Sequence, residues 1–502
     1  MLRTLYIDRS RIALTPYRLG EAKTLERKLS IYDFNLRQVT MKLFKYDNDT
    51  QTLYVPKGFS VNETLNLLAT DTIVEIDQVD RTNQTSPGRD IVLTMRPGIG
   101  ARDEHQINSI SFLLEKDDKQ QRFLNIDTGF GKTFCTIKAV SVIGKATMIV
   151  MANSNLMKQW IKSLKDFTTI TDNEIETISG RDTVQKAINA KEKAKIYICS
   201  TQTLAILSEE NKLQEFVEKC GIGIKVIDEA HEMMSAVALI DLGCDVCNNF
   251  YLTATPERSD TREALLYNRI TKTFLRFGAY TTDIMQYVHV KNVFINTYPT
   301  GWHKRICNTR QGFSAVLYEK FIFKNDRKKT FFYLICKYVC SKILNNDPEA
   351  KILIVLSIRD SINEIARLFK QNDHISCGIF TNDTDPDKKT KQLNKNIILS
   401  TLKSSGAGMD IKNLRCIINF VPFKSTVLLH QLMGRLRYIE GKALFYFNIV
   451  DEGFENITRQ NIKRQYFFRT KAADIKNMRL DMNVILSMLY KDKLKDEGDN
   501  DD

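Results

Sequence analysis

The chain has 502 residues, 43% of them hydrophobic and 26% charged, a balance that excludes a disordered polymer and leaves room for about three domains. No apolar run approaches the roughly 18 residues a membrane-spanning helix needs, and the first residues hold no continuous apolar signal core, so a soluble intracellular protein without a membrane partner is expected. Lys and Arg total 73 against 60 acids, a net charge of +13, which suits a polyanionic partner because each neutralised phosphate releases a counterion.

In chain order, residues 1–95 mix short strand-like runs with polar turns and predict an α+β accessory domain; Leu53-Tyr54-Val55-Pro56-Lys57-Gly58 reads as a strand entering a turn. From 96 to 260, short apolar runs at 123–126, 148–151, 196–199, 224–227 and 251–253 alternate with helical patterns. That rhythm predicts βαβ units and a parallel sheet. Residues 261–345, rich in aromatics and bases, read as a connecting segment. The rhythm returns over 346–453, with apolar runs at 352–356, 397–400, 415–419 and 444–449. Residues 454–502 read as a basic helical extension closing in an acidic tail, with Tyr466, Phe467 and Phe468 set among Lys463, Arg464 and Arg469. That basic aromatic stretch suits base stacking, or simply an amphipathic helix packed on its neighbour. The ten cysteines are spread along the chain, and the lone pair Cys244 and Cys247 has no second pair at zinc-finger spacing, so no metal cluster is expected.

Chemistry is written most sharply in Asp127-Thr128-Gly129-Phe130-Gly131-Lys132-Thr133, between a strand and a helical run. Glycines let the main chain wrap a triphosphate, Lys132 offers an ammonium to its β- and γ-phosphates, and the Thr133 hydroxyl suits Mg²⁺. The first glycine of the full phosphate-loop pattern is replaced by Ile126. Asp228-Glu229-Ala230-His231 follows an apolar run, so Asp228 lies where a parallel sheet binds ligands and suits the Mg²⁺ shell, with Glu229 activating water. Thr253-Ala254-Thr255-Pro256 ends another strand, and its hydroxyls are placed to link the nucleotide to domain movement. Late in the second α/β region, Gln431-Leu432-Met433-Gly434-Arg435-Leu436-Arg437 offers an arginine finger, with Arg435 and Arg437 both candidates.

Taken together, these ordered motifs resemble a superfamily 2 helicase of the DEAH type over roughly 100–450. The resemblance implies two tandem RecA-like parallel-sheet domains, flanked by the amino-terminal α+β domain and the helical carboxyl-terminal extension, using ATP and Mg²⁺. It also implies residue roles. Gln106 contacts adenine; Thr128, Gly129, Phe130, Gly131, Lys132 and Thr133 hold phosphate; and Asp228, Gly408 and Asp410 lie near the nucleotide, with Thr133 and Asp228 on the metal largely through water. Glu229, Lys132, Arg435 and Arg437 carry catalysis, and Asn155, Thr201, Gln202 and Thr401 meet nucleic-acid phosphates, while Ser357 lies in the region of a further motif.

Within the superfamily the chain is similar to the poxvirus-type transcript-release DNA helicases of large DNA viruses, with UvsW-type phage helicases as near neighbours. The residues carrying this are Gly129 to Thr133, Leu252 to Pro256, Ser400-Thr401-Leu402 with Ser405 to Ile411, and Val55 to Phe59. What the resemblance implies is a monomeric translocase acting on DNA ahead of RNA, in transcript release or DNA remodelling, with the transcription machinery as partner. A viral protein of this kind is expected in the host cytoplasm, the viral factory and the virion. An RNA helicase or a branch-migration helicase is the alternative, and a binding scaffold with a decayed ATP site is opposed by the intact Lys132, Asp228, Glu229 and both arginines.

Overall fold

In the computed structural model, residues 3–487 are described apart from 34–37, 72–74, 116–120, 127–129, 153, 232, 254–266, 279–285, 311, 382–383, 385, 403 and 405–410. Two compact units divide the chain at residues 279 and 280. No helix among the described residues is long and apolar enough to cross a membrane.

The first unit opens with a mixed sheet of β1 (Arg3–Ile7), β2 (Arg11–Thr15), β5 (Lys45–Asp47), β6 (Thr52–Pro56) and β7 (Ile76–Asp80) in the order β5-β6-β2-β1-β7. A hairpin of β3 (Ser30–Asp33) and β4 (Gln38–Lys42) stands beside it. Only β7 pairs parallel, on β1. This sheet is docked onto the following α/β fold through its β1–β2 turn. Ser10 N–H donates to Asp245 Oδ1 (2.8 Å), Arg9 to the Cys247 carbonyl (3.2 Å) and Arg11 to the Leu242 carbonyl (2.6 Å). The Val55–Phe59 segment lies against the same unit so closely that a Cβ on Gly58 would fall 1.8 Å from the Ile270 carbonyl oxygen. Any side chain there must displace backbone.

Seven parallel strands form the core of this unit: β8 (Arg122–Asn125), β9 (Thr147–Met151), β10 (Ile175–Ile178), β11 (Ile196–Ser200), β12 (Ile224–Ile227), β13 (Asn248–Thr253) and β14 (Leu275–Gly278). Their order is β10-β11-β9-β12-β13-β8-β14. β9 and β12 are buried at every residue, which explains their unbroken apolar runs: helices cover both faces of a parallel sheet.

The second unit repeats the plan. Its sheet comprises β15 (Val288–Ile295), β18 (Lys351–Leu356), β19 (Gly378–Phe380), β20 (Ile397–Thr401), β21 (Leu414–Asn419), β22 (Leu444–Asp451) and β23 (Ala472–Leu480), ordered β19-β20-β18-β21-β22-β15-β23 and parallel throughout. A short hairpin of β16 (Asn308–Thr309) and β17 (Gly312–Phe313) follows β15. Two tandem parallel α/β sheets are therefore present, with the mixed amino-terminal sheet in front.

Some strands lie outside the regions where the sequence showed the βα rhythm. The segment 261–345 supplies β14 to the first sheet and β15 to the second. The carboxyl-terminal extension holds the helix Glu455–Lys471, as expected, and then β23, paired along β15. Amides pin this corner. Asn448 Nδ2 donates to Asn292 Oδ1 (2.8 Å) and Asn461 Oδ1 (2.9 Å), Gln465 Nε2 to Asn292 Oδ1 (3.0 Å), and Asn292 Nδ2 to Asn477 Oδ1 (2.8 Å). These amide hydrogen bonds join three strands and a helix in one register.

Candidate functional site

In an all-parallel sheet every carboxyl end lies on one edge, so the ends of β8, β12 and β13 lie there together. In the sheet β13 stands between β8 and β12, and Thr253 pairs with Asn125 while Ile227 pairs with Tyr251. The site is therefore assembled by three adjacent strands that are far apart in the chain.

After β8, Gly131 adopts φ +92 and caps the helix Lys132–Ile143, whose first turn presents its amides at the sheet edge. Gln106, on the helix Glu104–Leu114, closes over this turn. Its Nε2 donates to the Phe130 carbonyl (3.1 Å) and its Oε1 accepts from Arg102 N–H (2.9 Å). A Cβ at Gly131 would lie 2.3 Å from Gln106 Nε2, so glycine is required there by space as well as by φ. Gln106 is thus buried against the loop backbone, with both ends of its amide engaged. Lys132 is also buried, its Nζ donating to the Ile126 carbonyl at 2.9 Å. Thr133 is half-buried on the helix's first turn. Thr128 and Gly129 lie outside the described residues.

At the end of β12, Asp228 Oδ2 accepts from Trp160 Nε1 (2.7 Å) and its Oδ1 from Glu229 N–H (3.0 Å). Burial, and then the neighbouring Glu229 carboxylate, push Asp228 up to about 6, while Trp160 and Lys132 pull it back. Glu229 takes φ +47, uncommon for a side-chain-bearing residue, and its Oε2 lies 3.3 Å from His231 Nδ1 without a well-directed hydrogen bond. That same His231 nitrogen is 2.7 Å from Thr253 Oγ1 on β13. A chain of contacts thus runs from Asp228 and Glu229 through His231 to Thr253. Ala254, Thr255 and Pro256 lie outside the described residues.

Two crowded carboxylates facing one lysine at a helix N-terminus fit an anionic nucleotide with its divalent cation. An anion would meet the helix amides and Lys132, and a cation would offset the burial and the Glu229 repulsion that raise Asp228. Trp160 is the residue whose part here the sequence did not disclose. Its bond to Asp228 spans 68 positions and has no local signal.

The other candidates fall on strand ends and helix starts. Thr201 is buried as the first residue of the helix Thr201–Glu209, directly after β11, and Gln202 beside it is exposed. Asn155 lies on the helix Ser154–Phe167 that follows β9. In the second unit, Thr401 ends β20, donating to Ser404 Oγ (2.9 Å) and accepting from Ser404 N–H (3.3 Å). Ser357 follows β18, where the buried Glu319 carboxylate accepts the Ser357 (2.5 Å) and Ile358 (3.0 Å) amides and so supports the start of the helix Arg359–Asp373. Arg435 is half-buried and Arg437 exposed, both in the turn after the helix Thr426–Met433. Gly408 and Asp410 lie outside the described residues.

Comparison with known proteins agrees with this architecture. Residues 100–258 match the family described as "Type III restriction enzyme, res subunit", and residues 335–438 match the "Helicase conserved C-terminal domain". The chain is 23% identical over 385 residues to the "Transcript termination protein A18" of Yaba-like disease virus, covering 72% of this chain and 74% of that one. Identity to the protein of the same name from Yaba monkey tumor virus is 25% over 337 residues, 64% of this chain and 65% of the relative. Among solved structures, S. cerevisiae Dbp5 bound to RNA and ADP BeF3 superposes with a TM-score of 0.52 at 14% identity, covering 77% of this chain and 93% of that one. That likeness is one of fold. With both domain matches in order and the two parallel sheets in place, the chain is an ATP-dependent superfamily 2 helicase that resembles the poxvirus transcript termination proteins.

Proposed function

We propose that this helicase is a viral, Mg²⁺-requiring DNA translocase that acts with the transcription machinery in transcript release. The single observation that supports the motor reading best is the chain of contacts Asp228–Glu229–His231–Thr253, which joins the nucleotide edge of β12 to β13. The transcript-release assignment draws on the relatives named as transcript termination proteins.

ATP with its Mg²⁺, when bound, supplies a γ-phosphoryl group whose transfer to water drives the cycle. Gly131 and the first amides of its helix hold phosphate, and Lys132 leaves the Ile126 carbonyl to meet it. Thr133 and Asp228 would hold the cation, largely through water. Glu229 takes the proton of the attacking water, and Arg435 or Arg437 meets the charge that develops. Thr128 and Gly129 are assigned to phosphate, Gly408 and Asp410 to the nucleotide, and Gln106 to the base. Asn155, Thr201, Gln202 and Thr401 grip strand phosphates, a contact that carries little sequence preference and falls steeply with salt.

In the proposed division of labour, 96–260 and 346–453 are the two motor domains, 261–345 links them, 1–95 selects substrate or partner, and 454–502 extends the second domain. The protein acts as a monomer, in the host cytoplasm, viral factory or virion. The test is ATPase activity with single-stranded DNA, forked duplex and RNA at two salt concentrations. DNA stimulation that Lys132→Ala and Glu229→Gln both abolish is expected; equal stimulation by RNA removes DNA from the assignment, and no stimulation at all points to a scaffold.

A further inference from the structure

Beyond the helicase motifs, the second unit carries a compact basic and aromatic segment. β15 ends at Ile295, and the chain reaches the helix Ala315–Phe323 by way of the short helix Gly301–Cys307 and the β16–β17 hairpin. From Asn296 to Tyr318 there is no Asp or Glu, while Lys304, Arg305 and Arg310 all occur, each exposed. Lys304 and Arg305 form no ion pair among the described residues. In the middle of this stretch Trp302 is 63% exposed and Tyr298 50% exposed. Large rings usually find cover; here two stand in solvent beside unneutralised cations.

The exposed indole is braced. Thr300 caps the short helix, its hydroxyl 2.7 Å from His303 Nδ1. The His303 ring packs on Phe321 at 4.4 Å between centroids, and Trp302 meets His303 edge-on at 5.2 Å. Tyr298 is held at φ +51, with its amide on Asn296 Oδ1 (2.8 Å) and its hydroxyl on Asp481 (3.2 Å). Rings fixed by neighbours bind a flat partner with little further loss of freedom. Because the sheet is parallel throughout, the end of β15 lies on the same edge as Thr401 at the end of β20, four strand spacings away, about 19 Å.

We infer that Trp302, with Lys304 and Arg305, forms a further site for single-stranded nucleic acid, the indole stacking on a base and the two cations meeting adjacent phosphates. The inference rests on the helicase reading for its class of ligand. It draws on charge complementarity: a polyanion with flat bases matches the exposed Trp302 ring beside Lys304 and Arg305, in a stretch of chain that contains no carboxylate.

The chain has two tryptophans, Trp160 buried and Trp302 exposed, so emission reports on the site directly. Titrating the full chain with oligo-dT in the absence of nucleotide should quench tryptophan emission. In Trp302→Phe the quench should vanish while binding persists, since phenylalanine still stacks. Trp302→Ala should weaken binding roughly 5- to 150-fold. Lys304→Ala with Arg305→Ala should lower the salt slope of binding by about 1.4. At saturating DNA the ATPase of all three variants should match the unmutated chain. Emission that oligo-dT leaves unchanged, or Trp302→Ala binding as tightly as the unmutated chain, overturns the inference and assigns the patch to a protein partner. Failure of the helicase reading looks different: the unmutated chain then shows no nucleic-acid-stimulated ATPase.

Discussion

Trp160 Nε1 donates to Asp228 Oδ2 at 2.7 Å, so the helix after β9 holds the orientation of the carboxylate at the end of β12. Trp160 is otherwise buried in the core of the first unit, and its indole N–H finds its partner in a carboxyl group at the end of β12. A donor to a carboxylate typically contributes about 1.5–3 kcal/mol and fixes which oxygen is left for a cation. Trp160→Phe keeps most of the packing and removes the donor. Steady-state ATPase should fall about 10-fold or more while the far-ultraviolet spectrum is unchanged; an ATPase equal to the parent's would show that Asp228 orients itself without help.

Gly131→Ala tests the tight loop. The new methyl meets Gln106 Nε2 at 2.3 Å on a backbone at φ +92, so either the amide of Gln106 or the loop must move. The left-handed conformation alone costs about 1 kcal/mol for alanine. Nucleotide affinity, read by fluorescent-ATP titration, should drop at least 10-fold; an affinity equal to the parent's would show that the loop takes the methyl without moving.

Thr253→Val addresses the link between β13 and His231. The hydroxyl 2.7 Å from His231 Nδ1 is fully buried, so its removal should cost about 1 kcal/mol of stability. Nucleotide binding should survive, because Lys132 and Asp228 are untouched. Strand displacement should fall further than DNA-stimulated ATPase, and a parallel fall in both would argue that the contact serves stability alone.

Glu364 offers a pH test of the second unit. Arg367 holds its carboxylate at 2.9 and 2.7 Å and Lys329 at 2.8 Å, and together they keep it down at about 2. A carboxylate depressed on folding stabilises the native state above its unfolded value near 4.5, and that contribution fades as pH falls toward 2. Glu364→Gln should therefore lower the urea midpoint at pH 7, with the gap from the parent narrowing below pH 4.5. A gap independent of pH would assign the effect to packing.

The paired α/β domains were legible because their signals are local. Buried parallel strands such as Ile224–Ile227 read as short apolar runs, and turn glycines mark the loops between them. Phosphate-loop, carboxylate and arginine motifs were legible for the same reason: each is a handful of adjacent residues. The added strands were not. β14, β15 and β23 look in sequence like other short apolar or mixed runs, and nothing within them names a neighbour. Likewise Asn292, Asn448, Asn461 and Gln465 read singly as polar residues, and their network exists only once β15, β22 and the helix Glu455–Lys471 are packed. The stretch 459–469 resolves into two faces: Arg464 and Phe468 turn inward, while Arg459, Lys463, Tyr466 and Arg469 remain exposed.

By itself, then, the order of residues marked the candidate glycine-lysine, carboxylate and arginine loops, and showed that two sheets of one kind follow each other. Those properties depend on glycine dihedrals, strand burial and spacing, which act over a few residues. Only the tertiary structure decided that Gln106 closes on Phe130, that Trp160 steers Asp228, and that Trp302 stands in solvent among cations. The first two relations join positions tens of residues apart and the third depends on what the fold leaves uncovered, and pairing in a parallel sheet is set by the packing of the whole unit, which no local pattern encodes.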